Sequence, residues 1–455
     1  MTISRALLIP LSLALAACGS DNDSLGPPPS SLTVFSTATP EGDAGTMSTL
    51  RFRVVMTQPQ PQPVRIDYST GGGSATAGTD YLAASGTAEI PAGALATTID
   101  VELMGDGDEE GAESFNLTVS TSENARATST TAVGTIANDD TACDMPFTKT
   151  PNPWRRNGED PLNFAHRGGV IDFPENTLYA YAEAALAGAD VLEMDVYQTR
   201  DNELVVIHDL DVDRTTNGTG DIVDLTLAEL RALDAAYWFV PGEGTPRDRP
   251  ASAYAFRGIA TGDKPPPPGY SPEDFRIPTL EEALARFPNN LINLELKPDL
   301  DGAGNYEEQM ATLLKRYGRF TDVIAVSFVD AAANNFKAEA PCVYTAVPLD
   351  QGTSIVLAGL GDGVFPDVPE HITFQVPPDT SQIGPQNPDN FFLEIVTPDF
   401  ISDSHAVNLA VHVWTINSCE EMLRLMDLGV DGIMTDRPIL LESLLNTPPA
   451  ERSCD

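Results

Sequence analysis

From residue 162 onward the chain alternates short apolar β-type runs with helical segments, and this repeat restricts the fold more than any other feature. The runs are 163–166, 191–196, 204–208, 291–296, 323–328, 343–347, 372–376, 410–416 and 432–435. Strands separated by helices form a parallel sheet. A parallel crossover needs about a dozen residues, yet only Tyr197 to Glu203 separate the second run from the third. The run 204–208 is therefore expected to return antiparallel, as a hairpin arm. Eight parallel strands remain, which is the count of an α/β TIM barrel. That barrel is expected over 162–455. A stretch rich in Pro, Gly and aromatic residues at about 241–277 reads as a long inserted loop at the barrel mouth, a candidate substrate lid.

Residues 163–220 concentrate reactive side chains: His166, Arg167, Glu193, Asp195 and His208. Such groups at strand ends are the pattern of an active site rather than of a packed core. Glu193 and Asp195 are two apart on a strand and share a face. Two carboxylates turned into a barrel are costly unless something positive sits between them. The segment Asn293-Leu294-Glu295-Leu296-Lys297 repeats the device on a later strand. Glu193, Asp195 and Glu295 are therefore expected to hold one divalent metal, Ca2+ or Mg2+, through hard oxygen ligands. The competing reading ties the three acids to Arg167 and Lys297 as ion pairs. His166 and His208 suit general acid and general base, because imidazole titrates near neutrality; which is which is not legible. Arg167 and Lys297 supply charge for a phosphate-like group.

The blocks Ala165-His166-Arg167-Gly168, Pro174-Glu175-Asn176-Thr177, Glu193-Met194-Asp195-Val196, Val206-Ile207-His208-Asp209, Asp213-Arg214-Thr215-Thr216, Glu295-Leu296-Lys297, Val413-Trp414-Thr415-Ile416-Asn417 and Thr435-Asp436-Arg437-Pro438 follow one another in order. Over about 162–445 the chain resembles the glycerophosphodiester phosphodiesterase family. The resemblance implies hydrolysis of a small-molecule glycerophosphodiester to glycerol 3-phosphate and an alcohol. It also implies a mechanism in which the free 2-hydroxyl of the substrate attacks phosphorus. One histidine takes its proton and the other protonates the departing alcohol. The metal orients the hydroxyl and a phosphate oxygen, while Arg167 and Lys297 offset the developing charge. Glu175 and Asn176 are then supports for the groups that meet substrate. Trp414 lines the pocket and contacts the glycerol, with core packing as its other reading. Two further functions stay open. One is a phospholipase-type enzyme on lyso- or intact lipids, with 241–277 deciding access. The other is a calcium-binding surface protein with an inactive barrel, disfavoured because no catalytic-type position is lost.

The N-terminal third reads differently. Arg5 precedes an apolar run, 6–17, too short to span a bilayer, that ends in Leu15-Ala16-Ala17-Cys18. This resembles a bacterial lipobox. Residues 1–17 are the expected lipoprotein signal peptide, Cys18 the lipidated residue, and the polar stretch 18–31 a tether. The expected location is extracytoplasmic and lipid-anchored, at a bacterial outer membrane, in the periplasm or at the cell surface. The anchor is the only membrane contact expected, since no other apolar run reaches about 18 residues.

Short alternating runs at 32–140, separated by Gly, Pro and Asp turns, read as about seven strands of an all-β, immunoglobulin-like sandwich. The segments Asp67-Tyr68-Ser69-Thr70, Gly78-Thr79-Asp80-Tyr81, Ile90-Pro91-Ala92-Gly93, Glu110 to Phe115 and Ile136 to Asp140 resemble a Calx-beta domain. The resemblance implies Ca2+ at one end, with Glu41, Asp80, Asp106, Glu110, Glu113, Asp139 and Asp140 as ligand candidates. Gly105 and Asn138 stand where Asp is usual in that family, which lowers the expected charge. A spacer with solvated acidic turns is the other reading. Residues 141–161, with Pro151, Pro153 and Pro161, form a linker.

Net charge is −41, from 67 acidic and 26 basic residues. That argues against nucleic acid, whose phosphates need Lys and Arg. It fits an acidic soluble surface, or carboxylates that hold divalent cations. With Cys18 assigned to lipid, Cys143, Cys342, Cys419 and Cys454 remain, and their spacing does not suit zinc. Disulfides are allowed outside the cytoplasm. Cys143 and Cys454, at the two ends of the catalytic domain, are the expected pair among three connectivities.

Overall fold

The computed structural model describes residues 31–123, 129–297, 305–362, 365–366, 368–382 and 392–454. The expected signal peptide, Cys18 and nearly all of the tether lie outside the described residues. No described helix is long and apolar enough to cross a membrane.

Eight strands build the N-terminal domain: β1 Leu32–Val34, β2 Thr37–Pro40, β3 Met47–Met56, β4 Val64–Gly73, β5 Ser85–Ile90, β6 Ala96–Met104, β7 Glu113–Glu123 and β8 Ser129–Ala137. They form two sheets, ordered β1-β3-β6 and β2-β8-β7-β4-β5. Period-two alternation sets the faces: Leu50, Phe52 and Val54 are fully buried, while Arg51 between them is exposed. Phe115 anchors this core, stacked on Tyr81 at 4.2 Å and edge-on to Phe52 at 5.9 Å.

Nine strands build the second domain: β9 Leu162–Ala165, β10 Val191–Gln198, β11 Leu204–Val206, β12 Leu291–Leu296, β13 Val323–Val326, β14 Tyr344–Thr345, β15 Thr373–Val376, β16 Ala410–Val413 and β17 Gly432–Thr435. Eight run parallel in the order β14-β13-β12-β10-β9-β17-β16-β15. A parallel bridge between Ala346 and Thr373 brings the two ends together into a near-closed barrel. Strand β11 pairs antiparallel with the end of β10, Val196 lying opposite Val206. Every residue of β10 is buried, as a strand covered on both faces requires.

Phe164, Val191, Ile324, Ile372 and Ala410 fill the barrel interior together with Trp154 of the linker. Asn152, beside that tryptophan, donates to the backbone oxygens of Ile372 at 2.8 Å and Asn408 at 2.9 Å. Both acceptors precede strands β15 and β16. The linker thus seals the N-terminal end of the barrel and leaves the C-terminal end to the site.

The two domains pack directly. Ala38 of β2 and Ala137 of β8 share one buried cluster with Leu284 and Phe287 of the barrel. Arg286 lies 3.6 Å over the Phe35 ring, and Arg53 pairs with Asp274. Segment 241–277 forms part of this junction. Its Phe256, Tyr270 and Phe275 gather around Tyr179 at centroid distances of 4.6–5.1 Å. Among the described residues, none of 241–277 lines the cavity at the barrel mouth. Its aromatic residues go to the flank, where they bury surface between helix Leu178–Ala187 and the sandwich.

The expected pairing of Cys143 with Cys454 is corrected. The bonds are Cys143–Cys342 and Cys419–Cys454. Cys143 leaves the sandwich beside the loop before β14, where Phe147 N donates to Pro341 O at 3.2 Å. Cys454 folds back onto the start of helix Cys419–Leu428. The ends of the barrel domain are instead joined by Arg452 and Asp160, at 2.7 and 2.9 Å.

Candidate active site

Parallel register assembles the acids. It sets Asp195 of β10 beside Glu295 of β12, and Glu193 beside Asn293. One oxygen from each of Glu193, Asp195 and Glu295 lies within 4.8 Å of the others, and Glu193 and Asp195 are buried. Burial and the neighbouring charges of Asp195 and Glu295 push Glu193 well above the usual carboxylate range. Burial also lifts Glu295 to about 7 despite Lys297. It would lift Asp195 too, but Lys297 and Arg167 hold that group well below its ordinary value. Lys297 Nζ meets Glu295 at 2.6 Å and Asp195 at 2.9 Å. Three hard oxygen donors at this spacing, with two of them disfavoured as bare charges, fit a divalent cation.

His166 follows β9 directly and opens a tight turn. Arg167 in that turn has φ of 52°, and its backbone N donates to Glu193 Oε2 at 2.7 Å. A non-glycine residue holds such a backbone only where its surroundings fix it. Gly168 next to it, at φ 83°, is required: a Cβ there would stand 2.8 Å from that of Ala180. The guanidinium of Arg167 is buried between Glu175 at 3.3 Å and Asp195 at 3.5 Å.

Each histidine gives Nδ1 to a carboxylate. His166 Nδ1 lies 2.6 Å from Asp436 Oδ1, whose other oxygen accepts from Asn417 Nδ2 at 2.7 Å. His208 Nδ1 lies 2.6 Å from Asp209 Oδ1, whose other oxygen accepts from Arg214 Nε at 2.5 Å. Burial lowers the His208 pKa despite that contact. Asp209, Arg214, Asp436 and Asn417 were not among the expected site residues. All four stand in the quoted blocks: Asp209 directly follows His208, Asn417 closes the Trp414 block, and Arg214 and Asp436 fall in blocks that held no expected site residue. What ties Asp436 to His166 is a contact across 270 residues.

Glu175 and Asn176 support the others. Glu175 is fully enclosed and accepts two bonds from Arg214, at 2.6 and 2.8 Å. Burial would raise it, yet those bonds and Arg167 keep it below the ordinary range. Asn176 donates to Asp195 Oδ2 at 3.0 Å and accepts from Tyr181 OH at 2.6 Å.

His166, Arg167, Glu193, His208, Glu295, Lys297 and Trp414 all line one cavity of about 970 Å³ at the C-terminal end of the barrel. All expected barrel-site residues therefore meet at this cavity or directly behind it. Trp414 is half-buried and sits edge-on to Phe328 at 5.4 Å. Residues 298–304, beyond Lys297, lie outside the described residues.

In the sandwich, Glu41 is shared by two acidic groups, one with Asp106 and Glu110 and one with Asp139 and Asp140. Asp80 and Glu113 are joined by a hydrogen bond that, with burial, raises Glu113 to about 7. Asn138 donates to Glu41 Oε1 at 3.1 Å, where a carboxylate would add charge. At Gly105 any Cβ would stand 2.1 Å from the Gly42 carbonyl oxygen. No side chain fits there, so an acid is sterically excluded.

Taken with the fold, the barrel geometry defines a class: a hydrolase built for an anionic ester. Comparison with known proteins carries the identification further. The model of the glycerophosphoryl diester phosphodiesterase family matches residues 166–440, and that of the Calx-beta domain matches 38–140. The chain belongs to the glycerophosphoryl diester phosphodiesterase family, and it is an enzyme of that kind. A glycerophosphodiester phosphodiesterase of Caldanaerobacter subterraneus is 31% identical over 287 residues, 63% of this chain and 96% of the relative. One from Bacillus subtilis is 28% identical, over 62% of this chain and 86% of its own. Among solved structures, an Oleispira antarctica phosphodiesterase in complex with the product sn-glycerol-3-phosphate is 25% identical. The match covers 63% of this chain and 98% of that one, with a TM-score of 0.44.

Proposed function

We propose that this enzyme hydrolyses glycerophosphodiesters to glycerol 3-phosphate and an alcohol, with one divalent cation at Glu193, Asp195 and Glu295. The observation that carries the proposal is the pair of histidines, each held by a carboxylate at Nδ1, around three clustered acids and two cationic side chains. A carboxylate accepting from Nδ1 fixes the tautomer and leaves Nε2 to work on substrate. One Nε2 takes the proton of the 2-hydroxyl as its oxygen bonds to phosphorus. The other gives its proton to the alcohol whose P–O bond breaks, and water then opens the cyclic phosphate. Arg167 and Lys297 face the charge that grows on the phosphoryl oxygens. A bound cation supplies Lewis-acid polarisation and orientation.

Glycerophosphocholine turnover with and without chelator tests this, alongside His166→Ala and His208→Ala. Chelation abolishes turnover, a divalent salt restores it, and each substitution lowers kcat by about 10²-fold or more. Turnover that survives the chelator, or both substitutions, contradicts the mechanism.

Two further parts complete the proposal. The sandwich binds Ca2+ through Glu41, Asp106, Glu110, Asp139 and Asp140, supported by their convergence. The mature protein is extracytoplasmic and lipid-anchored at Cys18, supported by the lipobox-like sequence before it.

A further inference from the structure

Two polar side chains in the depth of the cavity have no part in the proposed reaction. Asn293 of β12 and Gln375 of β15 both line it. Asn293 lies two residues before Glu295 on the same strand face, one layer deeper in the barrel, and is buried at 1% exposure. β12 and β15 are not neighbours in the sheet, yet Gln375 Nε2 donates to Asn293 Oδ1 at 2.5 Å across the barrel. One bond between two side-chain amides uses one amino group and one carbonyl, and leaves the other amino group and the other carbonyl unused. Here Asn293 Nδ2 and Gln375 Oε1 are left. Neither bonds to a described residue, and neither is closed off from the cavity. Exchanging nitrogen and oxygen in both amides would leave the same two kinds of group. The pair is also held from behind: Gln375 Nε2 lies 3.5 Å from Nδ1 of His412, its register partner on β16. Burial keeps that imidazole neutral by lowering its pKa to about 4. A donor and an acceptor fixed side by side in so enclosed a place are costly unless a ligand meets both.

The chemistry limits which group of the substrate that is. Phosphodiester oxygens only accept hydrogen bonds, whereas a hydroxyl both donates and accepts. In the hydrolysis proposed above, on which the inference rests, the phosphodiester faces Arg167 and Lys297, and the 2-hydroxyl faces a histidine. The 1-hydroxyl, on the neighbouring carbon, is the glycerol group that remains. Register sets Asn293 beside Glu193, so the amide pair adjoins the acids around which the glycerol is held. We infer that the glycerol 1-hydroxyl accepts a hydrogen bond from Asn293 Nδ2 and donates one to Gln375 Oε1. The two amides are specificity-determining residues: they move no proton and no bond to them forms or breaks. An ester that lacks the 1-hydroxyl leaves both amide groups unpaired in the bound complex, and the enzyme rejects it for that reason.

The test uses the full chain with excess Mg2+ or Ca2+ and two substrates, glycerophosphocholine and its 1-deoxy analogue, which keeps the 2-hydroxyl and the phosphodiester. The parent enzyme is expected to favour glycerophosphocholine by about 10²-fold in kcat/KM. Gln375→Met and Asn293→Leu each lower that ratio at least tenfold; circular dichroism and melting temperature report folding. A substitution that only loosens the barrel slows both substrates alike and leaves the ratio where it was. Calorimetric binding of glycerol 3-phosphate and of its 1-deoxy counterpart to the parent gives a preference in the same direction without turnover. Parent kcat/KM values within threefold of each other overturn the inference while leaving the hydrolysis intact, and this comparison needs no variant to fold. So does a ratio that neither substitution changes. No turnover of either substrate by the parent overturns the proposed hydrolysis, and the inference with it.

Discussion

His166 and His208 are held alike at Nδ1 but differ in what holds their carboxylates. Asp209 shares its charge with the guanidinium of Arg214, whereas the second oxygen of Asp436 accepts from the neutral amide of Asn417. Asp436 therefore owes its carboxylate form mainly to His166: burial opposes it, and the hydrogen bond and charge of His166 bring it below the ordinary range. Asp436→Asn keeps the shape of the site but can present the wrong tautomer to Nδ1. We expect kcat to fall by about 10²–10⁴-fold, with a melting temperature unchanged within about 2 °C and an altered pH–rate profile; kcat within twofold of the parent removes Asp436 from a positioning role. Among single residues, the chemistry-bearing ones were legible because Glu193, Asp195, Glu295 and the two histidines are costly to bury without a purpose. Their partners were not, because a hydrogen bond such as that from His166 to Asp436 depends on which strands become neighbours.

At the level of elements, strand periodicity and crossover length were enough to find the barrel strands, since each strand is apolar and separated by a helix. Edges were less legible. Strand β5 is mostly exposed and polar, so alternation marks it weakly. The acidic end of the sandwich carries a prediction of its own. Burial, and then the charges of Asp106, Glu110, Asp139 and Asp140, raise Glu41 to about 7. A carboxyl group raised on folding adds stability below its unfolded value of 4.5, and that stability is lost as pH rises through about 7. The cation-free sandwich should therefore melt at a lower temperature at pH 8 than at pH 5. At pH 8 a hundredfold excess of Ca2+ over its Kd should raise the melting temperature of the sandwich by about 10 °C or more, and Glu41→Gln should abolish that rise. A melting temperature indifferent to Ca2+ assigns the acidic turns to the solvated spacer reading.

Across the whole molecule, disulfide connectivity and domain packing were the parts the sequence left open. Four cysteines carry no record of which pairs form. The aromatic residues of 241–277 could equally have served a lid or a flank, and only the position of Tyr179 and the sandwich decides between them. Placement of the enzyme also belongs at this scale. If Cys18 carries lipid, Cys18→Ala should move the protein from the membrane fraction to the soluble fraction with catalysis intact; unchanged membrane association contradicts the anchor. Whether substrate supplies its own nucleophile to a metal-loaded, two-histidine site is decided with an analogue. Turnover of glycerophosphocholine is compared with that of its 2-deoxy counterpart, which keeps the phosphodiester and lacks only the 2-hydroxyl. A rate for the deoxy compound at least 10²-fold lower is expected, given what an intramolecular nucleophile contributes. A rate within threefold of the parent contradicts it.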